Sequence, residues 1–192
     1  MHRLTHYEDC IQMDLPINKD AINLDTLNWV QYNPRKNINR FGCSITSLDG
    51  TDSGVPDLDS LLEYNQLNGT DYGERDFATP TKHAEPFLEF LNTFEVGRSH
   101  FLKLAPGGFF PWHRDSDAIT IRMIYTVQNC TNDSLIWIED DKILPLKNHC
   151  WYYINTKKKH SLFSFHDSVF AVFNVVFNGK TFNLMQKHMY IK

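Results

Sequence analysis

Residues 104–115 read LAPGGFFPWHRD, and this stretch is the most informative in the chain. A proline-glycine-glycine turn leads to His113 and Asp115, whose positions i and i+2 place both side chains on one face of an extended strand. An imidazole and a carboxylate on one face can share a metal ion. The sequence therefore predicts a metal site at the end of a strand, completed by a third ligand from elsewhere.

The third ligand is expected to be a histidine further along the chain. The candidates are His149, His160, His166 and His188. His160 fits best because it follows a lysine-rich turn at residues 155–159 and starts an alternating strand. It also lies 45 residues after Asp115, which leaves room for several strands to return the chain to the first pair of ligands. His166, at the far end of the same strand, remains the main alternative.

These ligand types also indicate which metal is bound. Two histidines and one carboxylate occupy one face of an octahedron and leave three positions open. Non-haem Fe(II) oxygenases use such open positions for a bidentate cosubstrate and O₂. The expected metal is therefore Fe(II).

The second half of the chain has the composition of a β-domain. From Ser99 onward, aromatic and β-branched residues are dense in short runs separated by turn signals, with no helical pattern between them. This arrangement favours a sandwich, jelly roll or barrel over a parallel α/β sheet. The predicted strands are residues 99–104, 118–127, 135–138, 142–145, 150–155, 161–165 and 169–177.

The first half is mixed and richer in turns. Apolar residues at helical spacing predict a helix over residues 56–64, and Pro86 opens a second predicted helix at residues 86–91. At 192 residues the chain is expected to form one domain. We divide it into N-terminal helices, loops and supporting strands (1–97), a β-core (98–177) and a C-terminal extension (178–192), giving a mainly β (α+β) fold.

Composition excludes several classes of protein. The formal net charge of −4 argues against a dedicated nucleic-acid binder, which needs a surplus of basic residues on one face. The four cysteines (Cys10, Cys43, Cys130 and Cys150) are widely spaced, so reduced, buried thiols are expected rather than a zinc knuckle or a disulfide framework. Without a signal sequence or an apolar run of membrane length, the protein is expected to be soluble and cytoplasmic, with no membrane partner.

The pattern R-x₅-L-x-P-G-G-x₄-H-x-D, from Arg98 to Asp115, resembles the 2-oxoglutarate/Fe(II)-dependent oxygenase superfamily, and most of all its aspartyl/asparaginyl β-hydroxylase-like and prolyl-hydroxylase-like branches. The resemblance covers about residues 98–177. It implies a double-stranded β-helix, also called a jelly roll or cupin-like fold, with iron held by His113, Asp115 and His160. It also implies oxidative decarboxylation of 2-oxoglutarate by O₂, coupled to oxidation of a substrate C–H bond.

Cosubstrate binding departs from the family's usual pattern. Such enzymes commonly place an arginine about ten residues after the distal histidine, but residues 166–172 contain neither arginine nor lysine. Arg122 is the available substitute, because a guanidinium within an apolar strand is costly unless it meets an anion such as a carboxylate. The β-hydroxylase-like branch is similar in having an arginine at this spacing. Tyr125 and Ser168 are candidates for additional hydroxyl contacts, and the alternative is that Arg122 faces solvent from an edge strand.

The remaining expectations concern the substrate and the type of reaction. Arg98 and Trp112 are candidates for lining the substrate pocket, and Lys157, Lys158 and Lys159 are expected to form a solvated turn. Because related halogenating enzymes replace the carboxylate ligand, the retained Asp115 favours hydroxylation. The expected substrate is an amino-acid side chain, free or in a peptide, or a small metabolite. Two alternatives remain: a cupin-like isomerase or hydrolase that does not use 2-oxoglutarate, and a non-catalytic β-barrel binding module.

Overall fold

A computed structural model describes residues 10–32, 38–115 and 119–189. Antiparallel strands are the main regular secondary structure, as the density of aromatic and β-branched residues predicts. In chain order the strands are β1 (Cys10–Met13), β2 (Val30–Gln31), β3 (Arg40–Ser44), β4 (Thr46–Ser47), β5 (Thr79–Pro80), β6 (Val96–Leu104), β7 (Phe109–His113), β8 (Thr120–Gln128), β9 (Leu135–Glu139), β10 (Lys142–Ile143), β11 (Trp151–Ile154), β12 (His160–Ser164) and β13 (Ser168–Val176). The helices are α1 (Leu61–Asn68), α2 (Leu88–Thr93) and α3 (Gly179–His188), with 3-10 turns at Lys19–Ala21, Leu24–Thr26, Glu74–Asp76 and Lys82–Phe87.

Two facing sheets form the centre of the described structure. The major sheet has the order β1-β11-β8-β13-β6-β3-β2 and the minor sheet the order β10-β9-β12-β7, while β4 and β5 pair separately. From β6 to β13 the chain crosses repeatedly from one sheet to the other. This topology is a double-stranded β-helix, so the predicted fold class is confirmed.

The predicted strands of the second half all appear, with ends that differ by a few residues. The first core strand starts earlier, at Val96, and β10 ends at Ile143 instead of Pro145. Ala118, the expected start of the second predicted strand, lies outside the described residues. The first half contributes β1, β2 and β3 to the edges of the major sheet, which the sequence did not predict in detail.

The helices differ more from the prediction. The helix expected at residues 56–64 lies instead at Leu61–Asn68, where it buries no side chain. The segment at 86–91 divides into a 3-10 turn ending at Phe87 and the short helix α2. The C-terminal extension contains α3, whose first turn is capped by the Asn178 side chain accepting a hydrogen bond of 2.9 Å from the Thr181 amide.

Apolar residues form two cores on opposite faces of the major sheet. The outer core packs the helical segments against the sheet through rings that include Phe87, Phe90, Trp151 and Phe173. The inner core fills the space between the two sheets and includes Leu102, Ile124, Trp137, Leu162 and Phe170. Side-chain alternation along each strand thus decides whether a residue joins the aromatic outer core or the inter-sheet space.

The outer side of the minor sheet is unusually apolar. Phe163 lies opposite both Phe109 and Ile136 in the strand register, and its ring centroid is 5.0 Å from that of Phe165. Phe163 and Phe165 are 40% and 48% exposed. We call this surface the outer aromatic face; it consists of Phe109, Ile136, Ile138, Ile143, Phe163 and Phe165.

The cysteines agree only in part with the expectation of reduced, buried thiols. None of the four cysteines is in a disulfide bond; Cys43 and Cys130 are buried, whereas Cys10 and Cys150 are partly exposed. Burial raises the pKa of both the Cys43 and the Cys130 thiol to about 12. Within the described ranges, no helix has the length and apolar character needed to cross a bilayer.

Candidate metal centre

The three predicted ligands meet at one end of the space between the sheets. His113 ends β7, His160 begins β12, and the two residues are direct partners in the strand register, with ring centroids 4.2 Å apart. Asp115 follows two residues after His113. One potential ligand atom from each of the three side chains lies within 4.8 Å of the other two.

The turn before β7 sets this register. Gly107 has a φ of +78°, which favours glycine, and the Gly108 amide donates a hydrogen bond of 2.7 Å to the Ala105 carbonyl. Gly107 and Gly108 also exchange backbone hydrogen bonds of 2.9 Å with Ser164, at the far end of β12. The turn therefore fixes β7 against β12 and places His113 beside His160.

Both imidazoles are oriented by backbone carbonyls. Nδ1 of His113 lies 2.7 Å from the Pro111 oxygen, and Nδ1 of His160 lies 3.0 Å from the Lys158 oxygen. Because a carbonyl oxygen can only accept, each Nδ1 carries the proton and each Nε2 keeps its lone pair for a metal. Burial also lowers the pKa of His160, which favours the neutral form that binds metal.

Asp115 is held ionised on the opposite side of the centre. Burial opposes its ionisation, but the Arg122 guanidinium and a hydrogen bond from Thr156 outweigh burial, so the pKa of Asp115 lies below its ordinary value. Arg122 Nε is 3.0 Å from Oδ2, while Oδ1 is 3.8 Å from Nε2 of His113. One carboxylate oxygen is thus paired with arginine and the other faces the histidines.

These residues fit a first-row transition metal. Nitrogen and oxygen ligands at about 2.0–2.2 Å from a metal lie roughly 3 Å from one another. The donor atoms of the triad are separated by up to 4.8 Å, so small side-chain rotations would bring them to coordination distance. Three protein ligands leave further coordination positions for other molecules.

A cavity of about 100 Å³ adjoins the three ligands. A buried water needs only about 10–15 Å³, so the cavity has room for a small organic molecule. Its lining is polar next to the ligands, where Arg122 and Asn174 are partners in the register of β8 and β13. Further along the same strands the lining becomes apolar at Ile124 and Phe170.

Both predicted arginines line the cavity. Arg122 is on β8, an interior strand of the major sheet, and its side chain is 15% exposed; the alternative of a solvent-facing arginine on an edge strand does not hold. Arg98 makes a two-point ion pair with Glu74, at 2.9 Å from Nε and 2.7 Å from Nη2, and donates to the Asp59 carbonyl at 3.0 Å. Each guanidinium already has a carboxylate partner.

Three other predicted residues are not among those that line the cavity. Tyr125 directly follows Ile124 in β8, so its side chain points to the opposite face of the sheet. Its ring lies in the outer core, 5.3 Å from that of Trp151. The Ser168 hydroxyl, at the opposite end of β13, donates to the Asn129 carbonyl at 2.6 Å. Trp112 points outward beside Lys159 Nζ and is 45% exposed. Hydroxyl contacts of Tyr125 and Ser168 with a cosubstrate, and a pocket-lining role for Trp112, are therefore not supported by their positions.

The other histidine candidates are also distant from the centre. His166 is exposed beyond the end of β12, and His149 has a φ of +57° in a turn. His188 lies at the end of α3, with Nδ1 2.7 Å from the Asp14 carbonyl oxygen.

Sequence reasoning missed four residues around the cavity: Tyr32, His100, Trp137 and Asn174. Two of them had a signal in the sequence. His100 is two residues from Arg98 and therefore points to the same side of β6, and Asn174 is a polar residue that interrupts the apolar run of β13. Glu74 had no such signal, since it reaches Arg98 from a 3-10 turn in the mixed half of the chain.

Comparison with known proteins gives likeness at the level of fold. The sequence matches no protein-family model and no curated protein. An oxidoreductase of the 2OG-Fe(II) oxygenase family from Burkholderia pseudomallei is 10% identical, with a TM-score of 0.45, over 79% of this chain and 73% of that one. A predicted oxalate decarboxylase from Thermotoga maritima is 18% identical, with a TM-score of 0.35, over 45% and 71% of the two chains. A cupin domain from Bordetella pertussis is also 18% identical, with a TM-score of 0.34, over 42% and 80%. The strand topology itself makes the protein a double-stranded β-helix, and His113, Asp115 and His160 form its candidate metal site.

Proposed function

We propose that this protein is a non-haem Fe(II)- and 2-oxoglutarate-dependent dioxygenase that hydroxylates an amino-acid side chain, free or in a peptide, or a small metabolite. The observation that carries the proposal is the convergence of His113, Asp115 and His160 beside a cavity large enough for an organic ligand. A facial set of two imidazoles and one carboxylate is the arrangement that suits Fe(II) oxygenases.

Each side chain of the centre has a distinct part in this proposal. His113 and His160 present Nε2 to the metal because their Nδ1 protons are bound by carbonyls. When bound, Fe(II) would supply the O₂ and 2-oxoglutarate chemistry that oxidises a C–H bond. Arg122 orients Asp115, and its Nη2, which makes no hydrogen bond within the described residues, remains to donate to the far carboxylate of 2-oxoglutarate.

The second candidate is a cupin-like metal enzyme, an isomerase or hydrolase, that does not use 2-oxoglutarate. Two observations favour it: Phe170 lies where an arginine would be expected after the distal histidine, and Arg122 is already paired with Asp115. The two candidates differ in whether a keto acid binds at the metal.

Anaerobic addition of Fe(II) and then 2-oxoglutarate distinguishes the dioxygenase from the isomerase or hydrolase. A dioxygenase should develop the visible charge-transfer band of a chelated keto acid, and it should form succinate when O₂ is admitted. His113→Ala should give neither signal, whereas His166→Ala, which removes an exposed histidine outside the centre, should give both. Iron binding without the band or succinate would exclude the dioxygenase and leave the isomerase or hydrolase.

A further inference from the structure

Three buried polar atoms that line the cavity have no hydrogen-bond partner among the residues that the structure describes. They are Nδ1 of His100, Nε1 of Trp137 and Oδ1 of Asn174, on side chains of residues that are at most 5% exposed. Buried polar atoms in native proteins are paired in about 90% of cases or more, by protein groups or by ordered water. Three such atoms around one cavity indicate that a polar ligand belongs there.

The orientation of the Asn174 amide is fixed by its neighbour. Its Nδ2 donates to Glu74 Oε2, and the Glu74 carboxylate is in turn bound by Arg98. Turning the amide over would bring its oxygen against a carboxylate, which can only accept. Oδ1 is therefore an acceptor that requires a donor from the ligand.

His100 is a neutral group next to it. Burial, together with the nearby Arg98 and Arg122 charges, lowers the pKa of His100 well below its ordinary value. Its ring packs 5.1 Å from that of Tyr32, so the imidazole is held within the cavity wall. A neutral imidazole offers one N–H and one lone pair, which suits an uncharged polar ligand.

Strand register brings these two side chains together. His100 on β6 is paired with Val172 on β13, and Asn174 follows two residues later on the same inward face. A β-bulge between Phe173 and Val175 interrupts the regular spacing at this point, but both side chains line the same cavity, so one small polar group there has both within reach.

The surrounding charges select the kind of group. Glu74 beside Asn174 disfavours an anion at Oδ1, while Arg122, the direct register partner of Asn174, disfavours a cation. A neutral hydrogen-bond donor, either an amide N–H or a hydroxyl, satisfies both constraints.

We propose that His100 and Asn174 form a recognition site for a neutral hydrogen-bond-donating group of the compound that is oxidised at the metal centre. The site rests on the proposed function only in assigning that group to the substrate. Binding at the site does not require turnover, so the two proposals can fail separately.

The test compares small probes of similar shape by ligand-detected NMR titration of the full-length protein. Acetamide carries the donor, and acetone has the same shape without it. Acetamide is expected to bind roughly 2- to 10-fold more tightly, the range given by one net hydrogen bond. Methylammonium, a charged donor, should bind more weakly than acetamide, and tighter binding would show that the site is not for a neutral group.

Variants test whether the preference for acetamide over acetone arises at His100 and Asn174. Asn174→Leu should remove the preference for acetamide over acetone, whereas His166→Ala, which removes an exposed histidine apart from the cavity, should retain it. If Asn174→Leu does not fold, His100→Phe replaces it, because the phenyl ring can keep the contact with Tyr32. Equal binding of acetamide and acetone by the native protein, or a preference that survives Asn174→Leu and His100→Phe, overturns the proposal and leaves water as the occupant. Native acetamide preference in a protein that forms no succinate would overturn only the proposed dioxygenase.

Discussion

Arg122 makes two contributions to the site, and their loss can be measured separately. It pairs with the outer oxygen of Asp115 and retains a donor beside the cavity. Arg122→Ala should keep the metal, with affinity reduced about 10-fold to 100-fold as for other residues that orient a ligand. It should also raise the 2-oxoglutarate concentration for half-saturation by roughly 10- to 100-fold, because a hydrogen bond to a charged group contributes about 1.5–3 kcal/mol. The two effects are measured by calorimetry with metal and by titration of the charge-transfer band.

Arg75→Ala is the matched control for that prediction. Arg75 is half exposed, and its one ion pair with a described residue is a 3.9 Å contact with Glu95, so its loss should change neither affinity. Unchanged 2-oxoglutarate affinity in Arg122→Ala would show that another residue binds the cosubstrate.

Strand periodicity accounts for which of these residues could be placed from the sequence. His113 and Asp115 could be paired from the sequence because residues two apart share a face. Tyr125 could have been excluded by the same rule, since it is three residues from Arg122 and therefore points to the opposite side of β8. Glu74 could not be predicted, because its contact with Arg98 depends on how a 3-10 turn packs against β6.

At the scale of elements, the Pro-Gly-Gly turn controls the alignment of the two strands that carry the histidines. A Cβ atom at Gly108 would collide with the backbone oxygens of Asn39 and Ala105. Backbone atoms cannot move aside as the end of a flexible side chain can, so the turn would have to shift. The position of β7 against β12 thus depends on a glycine that packs against a neighbouring loop.

Gly108→Ala should therefore reduce stability and weaken the metal site together. We expect the free energy of unfolding to fall by about 1–3 kcal/mol, the usual range for a backbone clash, as measured by urea denaturation. Metal affinity should fall as well, because the register that joins His113 and His160 is disturbed. Gly179→Ala is the control, since a Cβ atom there meets nothing within 4 Å. Equal stability of the two variants would mean that the turn does not constrain β7.

The elements of the second half were predictable and several of the first half were not. Long strands such as β13 carry enough aromatic and β-branched residues to be recognised locally. The two-residue strand β2 has too few residues to show alternation, and it exists only because β3 offers an edge to pair with. The helix α1 buries no residue, so its position was not marked by a clear apolar pattern.

At the scale of the whole molecule, metal binding should stabilise the fold. The ligands come from β7, from the segment after it and from β12, so one ion would join separate parts of the barrel. At a metal concentration 100 times the Kd, the gain is about 2.7 kcal/mol. For a chain of this size that corresponds to a rise in Tm of about 5–10 °C.

His160→Ala should abolish this rise in Tm, measured by circular dichroism with Co(II) or anaerobic Fe(II). His166→Ala should preserve it, since His166 is exposed and apart from the centre. A rise that disappears in His166→Ala and survives in His160→Ala would reverse the assignment of the distal ligand.

The outer aromatic face has a consequence for how the folded protein behaves in solution. Its phenyl rings give the native state an exposed apolar surface of the kind that many proteins show only when they are partly unfolded. The dye ANS should therefore fluoresce on the native protein, and Phe163→Thr combined with Phe165→Thr should dim it while leaving the metal-dependent rise in Tm unchanged. A native protein on which ANS does not fluoresce would contradict this expectation. Melting curves recorded with such dyes will start from a high fluorescence baseline. The unfolding of this barrel is therefore better followed by a signal that does not depend on exposed apolar surface.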